Sequence, residues 1–286
     1  MIELTQEAIA RDAHRLAALA LAEDGARDLT TEITMQQPLQ ASARIEFRAP
    51  GVLAGLLYAD AVAASCQLDI VWTGNDGSPI EKPRTVGTIS GDLASILRAE
   101  RPLLNLLQRA SGIATVTAKY VHAIAGTGCR VLHTRKTAPG LRTLDLSAVL
   151  AGGGELHRID LASTVMMKDN HWAALAREGR SLADAVLEAR HRQASGIYVE
   201  VESLEQVRLA VAADVDRLLI DNQSPHVMSE WARLARARKP TIEIEATGGI
   251  TLENAREYAA AGADFISTGA LTHSVPAADI AVEIER

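Results

Sequence analysis

The stretch HTRKTAPGLR, His133 to Arg142, gathers Arg135, Lys136 and Arg142 around a Pro-Gly turn. Two later runs repeat the theme: GGGELHRIDL carries His157 and Arg158, and MMKDNH carries Lys168 and His171. The chain around them is acidic, with a formal net charge of -7 over 286 residues. Arginine's planar fork grips a carboxylate or phosphate through paired hydrogen bonds, and lysine adds a point charge. Glycines beside such groups let backbone and ligand approach closely. Cations at three successive strand or turn ends therefore predict a receptor for a multiply anionic ligand rather than a solvated charged face.

A second set has the opposite sign. Glu200, Asp221, Glu245 and Ser267 recur at intervals of 21, 24 and 22 residues, each in a short β-branched run that ends in polar or small residues. Carboxylates beside an anionic ligand make chemical sense when a divalent cation bridges them. Magnesium takes one or two carboxylates together with phosphate oxygens and waters, which makes Glu200 and Asp221 candidate Mg²⁺ ligands. The run EATGGI supplies Thr247, Gly248 and Gly249, a hydroxyl and two glycines ahead of a helix, which suits a phosphate. STGALTHS offers a second such loop with Thr268, Gly269 and Ala270. The residues alone thus point to a polyphosphorylated sugar, Mg²⁺ and a second, carboxylated substrate. No dinucleotide-binding G-x-G-x-x-G follows a strand, and neither G-x-S-x-G nor H-E-x-x-H occurs.

The elements that must position these groups follow from periodicity. Residues 5–23 read as an amphipathic helix, DLTTEIT as loop, and residues 41–95 as β-rich. A helical stretch runs to about residue 126, and Pro102 inside it is expected to start or kink a helix. The composition changes near residue 110, which places a domain boundary there. Beyond it CRVLHT, TVMMKDN, GIYVEVES, RLLIDNQS, TIEIEATGG and DFISTGA alternate with helical patterns, the signature of parallel βα units. In such barrels the C-terminal strand ends face the site, so the recurring polar residues are expected to converge. Ser203, Ser224 and Thr251 read as helix N-caps. His14, His122 and His191 lie on helical stretches and read as surface residues, and the two cysteines as core filling.

Composition bounds the class. Hydrophobic residues make up 48% and aromatics only 3%. A soluble globular protein fits this balance, and nucleic-acid binding does not, because stacking needs aromatic rings and the backbone needs basic charge. Cys66 and Cys129 form neither a disulfide framework nor a metal spacing, as expected of a cytoplasmic protein. The acidic, interrupted N-terminus reads as neither signal peptide nor membrane span, so no membrane partner is expected.

In their order, ERPLLNLLQRASGIAT, HTRKTAPGLR, GGGELHR, MMKDNH, VEVESLEQ, LLIDN, EATGGIT and STGALTHS resemble the quinolinate phosphoribosyltransferase family, from about residue 100 to 275. DLTTE and APGVLAG extend the resemblance toward the N-terminus. It implies an α/β fold of the type II phosphoribosyltransferases. An N-terminal α/β sandwich domain (1–110, with the tail 275–286 packing on it) precedes an incomplete TIM-like barrel (111–274). It implies phosphoribosyl transfer from phosphoribosyl pyrophosphate to quinolinate with decarboxylation, dependent on Mg²⁺. It also implies a homodimer, or a hexamer built from dimers, in which Arg101 reaches the partner's site. On the family's pattern Thr134, Arg135, Lys136, His157, Arg158 and Lys168 bind substrate anions. Glu200 and Asp221 serve the metal and ribose, and Thr247, Gly248, Gly249, Thr268, Gly269 and Ala270 the phosphate. Lys136, Lys168, Glu200 and Asp221 are the catalytic set.

The chain departs from the pattern at four positions besides Thr247, which replaces a frequent Ser and preserves the hydroxyl. His133 stands where an Asp is common, Leu156 where Asn or Ser is, and Leu146 and Ser147 where a Lys-Tyr pair is. These bear on the acceptor more than on the donor. Two alternatives stay open at this level: a paralogous phosphoribosyltransferase of the same fold with another acceptor, and a non-catalytic anion binder.

Overall fold

The protein is described from a computed structural model covering residues 4–285. Helix α1 (Gln6–Glu23) is capped by Thr5, whose hydroxyl accepts the Ala8 N–H. Helix α2 (Leu29–Thr34) falls where a loop was expected, because Asp28 accepts the Thr31 N–H and supplies the missing N-cap. Next come β1 (Gln40–Phe47), β2 (Gly51–Val52), α3 (Leu56–Ser65), β3 (Asp69–Trp72), β4 (Pro79–Ile80), β5 (Arg84–Asp92) and α4 (Leu93–Ala123). Helix α4 fills the expected helical stretch from Leu93 and runs through Pro102, so the proline does not start a helix. Leu103, Leu104, Leu107 and Ala110 bury one stripe of that helix, and packing offsets the lost backbone hydrogen bond.

The second half holds β6 (Arg130–Leu132), α5 (Arg142–Ala151), β7 (Thr164–Met167), α6 (Asp169–Glu178), α7 (Leu182–His191), β8 (Gly196–Val201) and α8 (Leu204–Ala212). It continues with β9 (Arg217–Asp221), α9 (Pro225–Arg238), β10 (Glu243–Thr247), α10 (Ala255–Ala260), β11 (Phe265–Ser267), α11 (Ala270–His273) and β12 (Ile280–Ile284). All six runs read as parallel strands are strands. Ser203 and Ser224 cap α8 and α9 as expected. Thr251 does not cap α10; Asn254 holds that position, and its side chain accepts the Thr251 N–H at 2.8 Å.

Two compact units emerge. One comprises residues 4–118, Thr137–Gly153 and residues 271–285. The boundary expected near residue 110 lies inside α4, which passes from this unit into the other. Its sheet runs β12-β1-β5-β3, and β1 alternates, with Ala43, Ile45 and Phe47 turned into the core. β12 pairs antiparallel with β1, from Ala43↔Ile284 to Phe47↔Ile280. Within this unit Arg109 grips buried Asp145 through two hydrogen bonds of 2.7 and 2.8 Å. Asp145 also accepts the Ala138 N–H, and Arg109 reaches the Thr272 carbonyl. The segments that directly follow the cationic run and the STGA loop are anchored in this way.

The other unit, Lys119–Lys136 with Gly154–Ala270, is built on a six-stranded sheet, order β6-β11-β10-β9-β8-β7. All its recorded pairings are parallel. Among the described residues β6 and β7 do not pair with each other, and a parallel bridge from Leu132 to Glu155 extends the β6 edge. Six strands where a full barrel has eight give an incomplete barrel. β8 and β9 are buried on both faces, through Ile197, Val199 and Val201 and through Leu218, Leu219 and Ile220. That is why they read as continuous apolar runs.

Candidate active site

A cavity of about 310 Å³ opens within the barrel unit. The segment after β6 lines it with His133, Thr134, Arg135 and Lys136, and the segment before β7 with His157 and Arg158. Met166 and Leu219 give it an apolar patch, Lys168 a further cation, and Glu245, Thr247 and Ser267 a polar side. The three cationic runs, far apart in sequence, meet here.

The arginines are not at rest. The Nε–H of Arg135 is buried and has no hydrogen-bond partner among the described residues. Burial pushes the Arg158 pKa down, and the neighbouring charge of Arg135 pushes it further. An orphaned buried donor costs about 1–3 kcal/mol, and two guanidiniums facing one cavity repel. An anion between the two guanidiniums relieves their repulsion.

Lys168 closes the end of β7. Its ammonium donates to the Glu200 carboxylate, and its backbone N–H donates to Nδ1 of His171 at 3.0 Å. His171, counted among the cations in sequence, instead completes the cap of α6. The Trp172 indole donates to the Glu200 carbonyl at 3.0 Å and pins the end of β8. Glu200 is half-relieved at best. Burial raises its pKa first, Lys168 opposes that, and Asp221 and Asp169 raise it again. Net, the carboxyl lies above its ordinary range and lacks positive charge.

Asp221 ends β9 level with Thr247 on β10. Its carboxylate accepts from the Asn222 amide at 2.6 Å. Gly248 follows at φ 75°, and a Cβ there would run into the Asn222 side chain and the Asp221 carboxylate. Only glycine fits this corner. Thr268 turns its hydroxyl to the Ile250 carbonyl at 3.1 Å and accepts the Ala270 N–H at 3.3 Å, so it shapes the STGA loop.

Four polar residues were expected to converge at the strand ends, and they do so only in part. Glu200 and Glu245 are both register partners of Leu219, one layer below Asp221 and Thr247. Glu245 lies inside the barrel, 1% exposed. It accepts from Ser267 Oγ at 2.6 Å, His157 Nε2 at 3.0 Å and Arg217 Nη1 at 3.1 Å. Burial raises its pKa, but these donors outweigh burial and hold the carboxyl below its ordinary range. Arg217 also donates to Glu243 at 2.8 Å and lies between the rings of Tyr198 and Phe265, 4.5 and 3.9 Å from their centroids. Sequence reading missed Arg217, since an arginine opening an apolar strand gives no motif.

Arg101 is exposed on α4 in the other unit, 3.8 Å from Glu100. Arg142 opens α5 there, with Leu146 packed in that unit's core and the Ser147 hydroxyl donating to the Leu144 carbonyl at 2.8 Å. His133 lines the cavity almost fully buried, its Nδ1 2.9 Å from the Thr134 carbonyl. Among the described residues no group of three His, Cys, Asp or Glu could hold a metal by itself. No helix among them is long and apolar enough to cross a membrane.

A parallel α/β barrel with under-neutralised cations at one cavity, and with Glu200 and Asp221 near the ends of adjacent strands, defines an enzyme that works on anionic substrates. The chain belongs to the quinolinate phosphoribosyl transferase family: the N-terminal domain of that family matches residues 28–111 and the C-terminal domain residues 113–283. It is 37% identical to the nicotinate-nucleotide pyrophosphorylase [carboxylating] of Mycobacterium leprae, over 90% of this chain and 91% of that protein. It is 36% identical to the protein of the same name from Rattus norvegicus, over 88% of this chain and 84% of that one. The solved structure of the nicotinate-nucleotide pyrophosphorylase from Francisella tularensis superposes with a TM-score of 0.90 at 31% identity, covering 96% of this chain and 97% of that one.

Proposed function

We propose that this enzyme transfers the phosphoribosyl group of phosphoribosyl pyrophosphate to quinolinate, releasing pyrophosphate and CO₂ and giving nicotinate mononucleotide. The observation that carries the acceptor is the pair Arg135 and Arg158, facing one cavity with a buried guanidinium N–H unsatisfied. Quinolinate, a pyridine with adjacent carboxylates, supplies two anions to such a pair and an aromatic face to Met166 and Leu219.

The chemistry follows from that placement. The ring nitrogen attacks C1 of the ribose with its lone pair, and pyrophosphate leaves with the C1–O pair. Loss of CO₂ from C2 leaves an electron pair beside the new pyridinium, which is itself the electron sink, and a proton at C2 completes the product. The protein's work is positioning and charge stabilisation. Arg135, Arg158 and Thr134 orient the carboxylates, with Lys136 and Lys168 close to the reacting groups. Glu200 stabilises positive charge developing on the ribose. Thr247, Gly248 and Gly249, with Thr268, Gly269 and Ala270, cradle the 5-phosphate.

Glu200 and Asp221 suit a hard divalent cation. Both offer oxygen on adjacent strands, and Glu200 lacks positive charge even with Lys168 in contact. Two carboxylates are enough when substrate phosphates and waters complete the shell. Bound there, Mg²⁺ supplies charge neutralisation to the leaving pyrophosphate. The assembly we read is a homodimer, open to association into a hexamer, with Arg101 delivered to the partner's cavity. Two free thiols, Cys66 and Cys129, support a cytoplasmic location.

The test is an assay with Mg²⁺ and phosphoribosyl pyrophosphate, comparing quinolinate, nicotinate and orotate. Quinolinate should yield nicotinate mononucleotide, pyrophosphate and CO₂ in equal amounts. Comparable turnover of nicotinate, or none of quinolinate, overturns the reading.

A further inference from the structure

His157 lines the cavity, and its place beside Arg158 suggests a direct ligand for the substrate carboxylate. Its hydrogen bonds say otherwise. Nε2 lies 3.0 Å from a carboxylate oxygen of Glu245, and Nδ1 lies 2.6 Å from the backbone nitrogen of Arg158. A backbone N–H only donates, so Nδ1 carries a lone pair. An ionised carboxylate only accepts, so Nε2 carries the proton. Glu245 is held ionised by its hydrogen bonds from Ser267 and Arg217. The imidazole is therefore neutral and fixed as one tautomer, and its single N–H is already spent. The ring is also braced edge-on by Tyr198, with centroids 5.5 Å apart at 90°. No donor is left for an anion.

We infer that Glu245 and His157 are positioning residues that fix the backbone at Arg158 and so aim its guanidinium at the acceptor carboxylate, with His157 itself making no contact to that carboxylate. The inference deepens the proposed function and rests on it for the identity of the anion. The chain of support runs inward: Arg217, stacked between Tyr198 and Phe265, anchors Glu245, Glu245 orients His157, and His157 orients the Arg158 N–H. The barrel's buried charges thereby set the angle of one cavity arginine.

Calorimetry with pyridine-2,3-dicarboxylate decides it through a mutant cycle. His157→Gln should weaken binding about tenfold, and Arg158→Ala should weaken it more. The double variant should bind within about twofold of Arg158→Ala alone, because His157 acts only through Arg158. His157→Asn should retain more affinity than His157→Gln, since the Asn side-chain oxygen stands where Nδ1 stood and can accept the Arg158 N–H. A double variant that loses the product of both single effects, or a Gln variant better than Asn, overturns the inference. A second measurement does not depend on the variants folding or on the ligand: long-range ¹H–¹⁵N spectra of the wild-type protein should show His157 as the neutral Nε2–H tautomer. Protonation at Nδ1 overturns it. Wild-type protein that fails to bind pyridine-2,3-dicarboxylate counts against the proposed function, and the tautomer then decides the positioning claim on its own.

Discussion

Glu200 and Glu245 sit on strands either side of β9, each the register partner of Leu219, yet their carboxyls are pushed in opposite directions. Glu245 is enclosed by three donors, one of them an arginine braced by two rings. Glu200 has one lysine, whose side chain is 41% exposed, and two nearby acids that work against it. Both are buried, Glu245 the more deeply, so burial alone would raise the Glu245 carboxyl more, the opposite of what is found. Completeness of the hydrogen-bonded shell separates the two. A buried network that is fully satisfied rigidifies what it touches, and one left short of charge stores a preference for a ligand. The shell around Glu245 is the first kind, and the set of Arg135, Arg158, Lys168 and Glu200 is the second.

The sharpest way to break this contrast is to remove Glu245. Glu245→Gln leaves Arg217 in the barrel with less compensation, and taking away one member of a buried pair costs about 3–5 kcal/mol. Urea unfolding at neutral pH should show a loss of that size. The sign of the pH dependence is fixed too. A folded-state pKa below the unfolded one gives stability that is present above the ordinary carboxylate range and lost as pH falls through the folded value. The gap between wild type and variant should narrow on acidification, and a constant gap contradicts the assignment.

Arg101 and Arg135 test the cavity rather than the interior. Each alanine variant should lose at least about thirtyfold in acceptor binding, as expected when one partner of a desolvated charge pair goes, at about 2–5 kcal/mol. If Arg101 serves the partner's cavity, mixing the two inactive variants with subunit exchange should restore activity toward about a quarter of wild type. Half the dimers are then mixed, and each has one intact site. Persistent inactivity, with mixed dimers confirmed by native mass spectrometry, removes Arg101 from the partner's site.

Glu200→Gln should have the smallest effect on folding. Its charge is disfavoured by burial, and its ion pair uses a partly exposed lysine, so stability should move by less than about 1 kcal/mol while turnover collapses. A stability loss as large as that of Glu245→Gln would erase the distinction between the two carboxylates.

Much of this was legible in the chain. The six strand runs and the three cationic runs could be read because each depends on local pattern, and the cavity brings the cations together. Less legible was depth. The similar spacing of Glu200, Asp221, Glu245 and Ser267 suggested one level, but spacing counts loop residues along with strand residues, and only register separates Asp221 and Thr247 from Glu245. Helix α2 was hidden because Thr, Asp and Glu suit loops as well as a helix's first turn, and one cap at Asp28 decides between them. Helix α3, inside AGLLYADAVAAS, was masked by its apolar run, which buries Leu56, Tyr58, Ala59 and Val62 and lacks the polar stripe that marks an amphipathic helix. His171 read as a site cation because its type suits one, whereas its work is to cap α6. The support for Arg158 was invisible because it passes through residues from four strands and the loop that carries His157.

The account stands on two cavity arginines waiting for two carboxylates, and calorimetry with matched ligands reads that directly. Wild-type protein should bind pyridine-2,3-dicarboxylate at least about tenfold more tightly than pyridine-3-carboxylate, a difference of about 1.4 kcal/mol. In Arg135→Ala that preference should shrink to near unity. Equal affinity of the two ligands for the wild type, or a preference that survives Arg135→Ala intact, contradicts the claim.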